Sequence, residues 1–567
     1  MRPIIQAKAL AAVLLPTGAA LLASCSDSAD NIVNNEPMPN GDGKYNIIFI
    51  TCDQEAYMDQ YPAGSDYAAR ERLRQIGTTF EKHYACANVS TSSRSVIYTG
   101  RHITETCMLD NTNYQFVGDM PHELPAFANM NVNFPRNLKT IGHMMAEAGY
   151  YPAYKGKWHI TKDTESLTEY GFNDWTEGDM YGSVLEGNHE DGTICDHSIE
   201  WLKTTGKTLN DNGQSFFLAI NFLNPHDIMY YGEEPGTYIA GQATPAPDEP
   251  LYKKTYPTEV PASWNEPFNK PGRPAAHGEY NRQWQAWVGP SPTDADGWHR
   301  FRDYYFNTIK DEDNHMMKLL QYLEDNGYLK NSIVVYTSDH GEMQGEHGLK
   351  GKGGNIYENN IHVPLIIYHP EVPGGRHFKN LSSHLDLAPT FVDIATQGDP
   401  EREKRIIALG LRGHSLLPAI MDPTTDIRND EGALFCFEMI SMIDGDFVLT
   451  PHYGADMNKR GFVRGIITLD YKFARYFAPN NFNTPRNYDD LVANNDVELL
   501  VQGSDETENL AWPGGNSFNK ELVISMNQKL NNLILREITR PDDGRECETC
   551  YSGGLSFWDK NNMNQFP

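Results

Sequence analysis

The sequence predicts an α/β fold. A large, mostly parallel, doubly wound sheet is flanked by helices, and a smaller C-terminal subdomain carries an antiparallel sheet. Three observations predict it. Short, wholly apolar runs recur up to about residue 430, the pattern of strands buried on both faces. Amphipathic stretches of helical period separate them. Beyond about residue 430, segments such as Gly465 to Phe477 suit antiparallel strands instead.

The chain opens with Arg2 and Lys8 ahead of an apolar run from Ala9 to Ala23, broken by Pro16 and Gly18. That run is too short to span a bilayer and reads as a signal segment. It ends Leu22-Ala23-Ser24-Cys25, which resembles the lipobox of bacterial lipoproteins. Residues 1–24 are therefore expected to be cleaved, Cys25 to carry lipid, and the polar residues 25–44 to form a tether. An ordinary signal peptide with a chance cysteine is the alternative. Either reading exports the protein, and the lipid anchor would hold it to a bacterial membrane, in the periplasm or at the cell surface.

Residues 45–430 are expected to form the main domain. Its first strand is Tyr45 to Thr51, followed by a helix near Tyr67 to Ile76. Asn137 to Ala148 carries Leu138, Ile141, Met145 and Ala148 at helical spacing and stops at Gly149. Ser215 to Phe222 is a second buried strand, Tyr304 to Asn326 a long amphipathic helix, and Ser332 to Thr337 a third strand. The stretch 228–297 lacks clear periodicity and is rich in Pro, Gly and aromatics, so it reads as a long substrate-loop insertion. Its Trp264, Trp284 and Trp287 either stack on sugar faces or pack the loop onto the body. Residues 431–567 form the C-terminal subdomain.

Composition narrows the partners. Lys plus Arg number 47 and Asp plus Glu 76, a net charge of −29, which repels phosphate backbones and argues against nucleic acid. If Cys25 is lipidated, seven of the eight cysteines remain, so at least one is free or paired between chains. Cys547 and Cys550 form a CxxC with no second ligand pair, which favours a local disulfide over a zinc ribbon.

Ligands in open α/β sheets bind at the carboxyl ends of strands. Here those ends carry Asp53-Gln54, Asn224-Pro225-His226 and Asp339-His340, with Lys157 and His159 in a Gly-Lys-Trp-His segment. Each fragment alone is explained by helix capping or a structural histidine; several together point to a site. Asp53, Gln54, Asp339 and His340 offer oxygen-rich ligation suited to Ca²⁺ or Mg²⁺. A helix starting near Thr91 would place Ser90 at its N-terminus, where backbone N–H groups favour an anion, with Arg94 on the same face. A plain Ser/Thr-rich cap is the alternative.

Ser90 to Arg94 with Thr99-Gly100-Arg101 resembles the signature of type I, formylglycine-dependent sulfatases of the alkaline-phosphatase-like superfamily. The resemblance extends from Tyr45 to about Ala511. It includes 156–159, 224–226, Thr337 to Glu342, Gly351 to Gly353, His362 to Leu365 and Asp505 to Ala511. It implies that Ser90 is oxidised to formylglycine and, hydrated, attacks sulfur. It implies a divalent metal, expected as Ca²⁺ with Mg²⁺ the alternative, held by Asp53, Gln54, Ser90, Asp339 and His340. Arg94 and Lys157 would stabilise the nucleophile and sulfuryl oxygens, His159 and Lys352 would reach the sulfuryl group, and His226 would protonate the leaving alkoxide.

Three departures stand out. The signature begins with Ser, as in the serine type matured by an oxygen-independent radical enzyme. Ser92 stands where Pro or Ala is usual, and Gln54 where many members have a second Asp. Lys352 is preferred over Lys350 for its Gly-Lys-Gly setting. Asn88-Val89-Ser90 is a formal glycosylation sequon given little weight, and His384 and Asp386 suit a structural helix start. The expected function is an extracytoplasmic sulfatase acting on a sulfated carbohydrate, served by a maturase acting on Ser90. The alternatives are a phosphatase or phosphonate monoester hydrolase of the same superfamily, or an inactive glycan-binding lipoprotein.

Overall fold

The computed structural model describes residues 36–112, 134–135, 137–161, 164–232, 243–428, 430–446 and 455–538. The expected signal peptide, Cys25, Cys547 and Cys550 lie outside the described residues.

The main sheet has seven strands among the described residues, in the order β3-β4-β1-β5-β6-β2-β7. These are β1 (Asn46–Asp53), β2 (Thr78–Tyr84), β3 (Tyr151–Gly156), β4 (Phe216–Pro225), β5 (Ser332–Ser338), β6 (Leu365–Tyr368) and β7 (Arg376–Ser383). β6 runs antiparallel to both its neighbours; the remaining pairings are parallel. The apolar run of β1 serves both faces, because side chains alternate across a strand. Ile47 and Phe49 join one core with helices α3 (Ile141–Glu147) and α7 (Leu387–Ala395). Ile48 and Ile50 join the other with α1 (Ala68–Ile76), α4 (Glu186–Trp201) and α6 (Ala295–Asp325).

The stretch expected to be a long loop holds more structure than its composition suggested. Helix α5 (Ala276–Trp287) lies within it, and α6 begins at Ala295, earlier than the expected Tyr304. The Asp294 side chain caps α6 by accepting from Gly297 N at 2.7 Å. The preceding Gly289-Pro-Ser-Pro run masks this start in sequence. Trp284 and Trp287 are buried in the core beneath α5, and Trp264 is half-buried, so these rings pack the segment down. At the N-terminal side, Asn40 and Asp42, expected in the tether, hydrogen-bond Ser215 at the start of β4.

A second sheet, in the order β11-β10-β9-β8, is antiparallel throughout. It comprises β8 (Ala433–Phe437), β9 (Phe462–Ile467), β10 (Tyr471–Phe477) and β11 (Asp496–Val501). Phe435, Val463 and Tyr476 face α5, whereas Leu434, Ile466 and Phe473 face helix α8 (Lys520–Glu537). α8 is also tied to the main body by a buried ion pair, His102 Nε2 to Glu537 Oε2 at 2.8 Å. Burial works to strip the proton from His102, but Cys436 and Glu537 outweigh it and raise its pKa to about 9. Burial likewise opposes the Glu537 carboxylate, yet His102 and Arg428 lower it to about 2.

The pH window follows from these directions. The His102 contribution is complete below the ordinary 6.5 and is lost as pH rises through about 9. That of Glu537 is complete above the ordinary 4.5 and is lost as pH falls through about 2. Glu537→Gln strands a buried cation and is expected to cost roughly 3 kcal/mol. The deficit in Tm should be largest between pH 4.5 and 6.5 and shrink towards pH 9. A Tm unchanged across that range would show that the pair contributes nothing.

Candidate active site

Strand order builds the site. β3, β4, β1 and β5 are adjacent and parallel, with Gly156 opposite Asn221, Asp53 opposite Pro225 and Cys52 opposite Ser338. The next residues along each strand are therefore Lys157, His226 and Asp339, clustered at one edge with Asp53. Above them starts α2 (Ser90–Thr99), a helix whose ten residues are all buried. Gly100 closes it at φ 64°, with its N–H returned to Val96 O, a conformation a Cβ would strain.

Ser90 Oγ is at the focus. It lies 3.3 Å from both Asp53 carboxylate oxygens, 3.1 Å from His340 Nε2 and 3.2 Å from Lys352 Nζ. Lys350 instead donates to Pro290 O at 3.1 Å, away from Ser90. Lys157 Nζ lies 2.8 Å from Asp53 Oδ2. Arg94 spends its fork on the site's frame. Its Nε donates to Asp339 Oδ2, Nη2 to Asp53 Oδ2, and Nη1 to Lys157 O and Asn221 Oδ1. The guanidinium thus holds the two carboxylates in place from behind.

Electrostatics follow from this crowding. Burial opposes the charge on Asp53, but the cations beside it, Lys157 foremost, hold its carboxyl well below the usual range. Burial and then the Asp53 carboxylate push Asp339 up to about 7. Burial lowers Lys352 to about 8. His226 is kept neutral by burial, then by Lys157 and Lys352. His159 is kept neutral by burial, then by Lys157. His159 sits at φ 49°, its N–H donated to Asp179 Oδ1 and its Nε2–H to Thr112 O. Among the described residues, Nδ1 of His159 and Nδ1 of His226 are buried without a hydrogen-bond partner. Gly182 packs on the His226 ring; a Cβ there would come within 2.4 Å of Cε1.

The donor set fits a hard divalent cation. Ligand atoms of Asp53, Asp339 and His340 lie within 4.8 Å of one another, all buried. His340 Nδ1–H donates to Gly341 O, which leaves the Nε2 lone pair facing the carboxylates. Gln54 Nε2 donates to Glu342, so its Oε1 turns to Lys352 Nζ at 3.1 Å. A second acidic group, Glu279, Asp444 and Asp446, is already occupied by Lys459 Nζ.

Some residues were not singled out in sequence. Asn221 Oδ1 accepts from Thr51, Tyr98 and Arg94, and its carbonyl from Lys157 N. A lone polar residue inside an apolar strand is the signal that could have found it. Asn111 Oδ1 takes the Thr91 N–H at the start of α2, and nothing in its local pattern marks it. His384 and Asp386 are structural: His384 Nε2 donates to Ser338 O, and Asp386 closes a capping box with Ser383. Asn88 is fully buried, so the sequon is inaccessible in the folded chain. The Ser92 hydroxyl is buried with no partner among the described residues. Cys52, Cys86, Cys195 and Cys436 are free and buried, whereas Cys107 is disulfide-bonded.

Comparison with known proteins places this geometry. The sulfatase family profile matches residues 45–397. An N-acetylglucosamine-6-O-sulfatase of Bacteroides thetaiotaomicron is 26% identical over 455 residues, 68% of this chain and 72% of the relative. In fold, the chain is similar to the 2-O GAG sulfatase BT1596, with TM-score 0.61, 18% identity, and 87% and 92% of the two chains covered. It is equally similar to a phosphonate monoester hydrolase of Silicibacter pomeroyi, with TM-score 0.62, 18% identity, and 87% and 96% covered. The profile spans most of the chain, and the chain belongs to the sulfatase family, enzymes that hydrolyse sulfuric esters.

Proposed function

We propose that the protein removes sulfate from a sulfated carbohydrate outside the cytoplasm, using a formylglycine made from Ser90 and a divalent cation. The observation that carries it is the Ser90 hydroxyl held by Asp53, His340 and Lys352 beside a buried, partly unpartnered histidine pair. A carbohydrate substrate is supported by the N-acetylglucosamine-6-O-sulfatase relative. Export and a lipid anchor at Cys25 rest on the N-terminal sequence. The disulfide at Cys107 fits an oxidising compartment.

Asp53, Gln54, Asp339 and His340 would hold the cation, a hard divalent ion such as Ca²⁺ or Mg²⁺ on their mainly oxygen donors. When bound, it would supply Lewis-acid stabilisation of the sulfuryl oxygens and of the attacking oxygen. Oxidised and hydrated, residue 90 would offer two hydroxyls, one to attack sulfur and one to expel sulfate. Lys157 and Lys352 present cations to the transferring group, which carries dispersed negative charge. Arg94 keeps Asp53 and Asp339 side by side. The negative charge of the bound sulfate ester offsets Lys157 and Lys352 and favours protonated His226, which takes a proton from solvent and hands it to the leaving alkoxide. His159, protonated at Nδ1 from solvent under the same charge, donates a hydrogen bond from Nδ1 to a sulfuryl oxygen.

The test is a mass spectrum of the tryptic peptide His83 to Arg94 from protein made with an anaerobic maturase. Loss of two hydrogens at Ser90 is the expected result, followed by desulfation of a panel of sulfated sugars. An unmodified Ser90 in the native host removes the mechanism. The phosphonate monoester hydrolase reading is favoured by the likeness to the Silicibacter fold. It predicts faster hydrolysis of phenyl phosphonates than of any sugar sulfate.

A further inference from the structure

Position 54 carries an amide among otherwise ionic or imidazole donors, and an amide presents two unlike ends. Its oxygen can face a cation; its NH₂ cannot. The backbone leaves little freedom there. Gln54 sits at φ 79°, its N–H donates to Asp339 Oδ1 at 3.1 Å, and its carbonyl accepts from Tyr305 OH at 3.0 Å. What remains to be decided is which way the amide is flipped.

We infer that Glu342 is a positioning residue that decides it. The Glu342 carboxylate accepts from Gln54 Nε2 at 2.6 Å, which turns Oε1 towards Lys352. Lys352 Nζ, a donor only, lies 3.1 Å from Oε1 and 3.2 Å from Ser90 Oγ, so both ends of the amide read the same orientation. The other carboxylate oxygen accepts from Gly351 N at 2.7 Å and from Gln344 N at 3.2 Å. Glu342 is fully buried and joins the amide of Gln54 to the loop that carries Lys352. An aspartate at position 54 would have two equivalent oxygens and need no such partner. The requirement for Glu342 is thus a consequence of glutamine at this position. The inference rests on the metal-dependent reading above.

The test is a double-mutant cycle read by Ca²⁺ titration calorimetry on the full chain with Ser90 unmodified, so that activity is not the readout. Gln at 342 has a single acceptor oxygen and cannot serve both Gln54 and Gly351. Glu342→Gln is expected to weaken Ca²⁺ binding about 10- to 100-fold. In a Gln54→Asp background the same change should cost less than about 3-fold. Glu342→Asp keeps the charge but withdraws it from Gln54 Nε2, and should lose at least about 5-fold; it serves if Glu342→Gln melts out. Equal losses in both backgrounds, or no loss in either, would overturn the inference and assign Glu342 to holding the loop alone. A wild-type chain that binds neither Ca²⁺ nor Mg²⁺ would instead overturn the metal-dependent reading, and this one with it.

Discussion

Ser90→Ala should lower sulfate-ester hydrolysis by roughly 10⁴-fold or more, because it removes the atom that the proposed mechanism turns into the nucleophile. The Oγ is the point on which Asp53, His340 and Lys352 converge, and among the described residues no other hydroxyl shares that position. Ser93 Oγ is turned away to Asp339 O and His384, and Ser92 lies off the cluster with its hydroxyl unpartnered among the described residues. Alanine starts a helix without strain, and the bonds that anchor α2, such as Ser93 N to Val89 O, Arg94 to Asp339 and Tyr98 to Asn221, do not use the Ser90 hydroxyl. Tm should therefore change little. The measurement is initial desulfation rate alongside a thermal melt. A variant that keeps a tenth of wild-type activity would show that residue 90 does not carry the reaction.

His226→Gln should lower turnover of sugar sulfates by about 10²- to 10⁴-fold, the range for loss of a general acid. The size of the effect should depend on the leaving group. A sugar alkoxide needs its proton in the transition state, whereas a nitrophenolate leaves without one, so the loss on an aryl sulfate should be far smaller. His226 is fitted for this by position: it follows the carboxyl end of β4, is buried against Gly182, and keeps Nδ1 without a partner among the described residues. Rates on a sugar sulfate and an aryl sulfate, compared in the same variant, test it. Equal losses on both would assign His226 to binding the sulfate rather than to protonating the leaving oxygen.

The strands were legible because each is a short apolar run that must be buried on both faces, as in β1, β4 and β5. The candidate site was suggested by several polar strand ends occurring together, each of which alone suits a helix cap or a structural histidine, and by the family resemblance around Ser90 and Lys352. The start of α6 was not, since the capping Asp294 follows a Pro-rich segment. Nor was α5, whose aromatic residues obscure the helical period. The fate of Trp284 and Trp287 could not be read either, because a tryptophan suited to a sugar is equally suited to a core.

By itself, then, the sequence determined the sheet's apolar strands, the acidic surface, and the family signature around Ser90 and Asp339. Only the tertiary structure decided that Asp53, Ser90, Lys157, His226, Asp339 and Lys352 meet. Adjacency of β3, β4, β1 and β5 is set by long-range pairing, not by local pattern. The tertiary structure also turned Arg94 onto two carboxylates and set the flip of the Gln54 amide, and it places Lys352, already preferred for its Gly-Lys-Gly setting, beside Ser90. Each of these is a choice of direction for a side chain. Direction depends on the partners that close around it in space, and spacing along the chain carries no record of them.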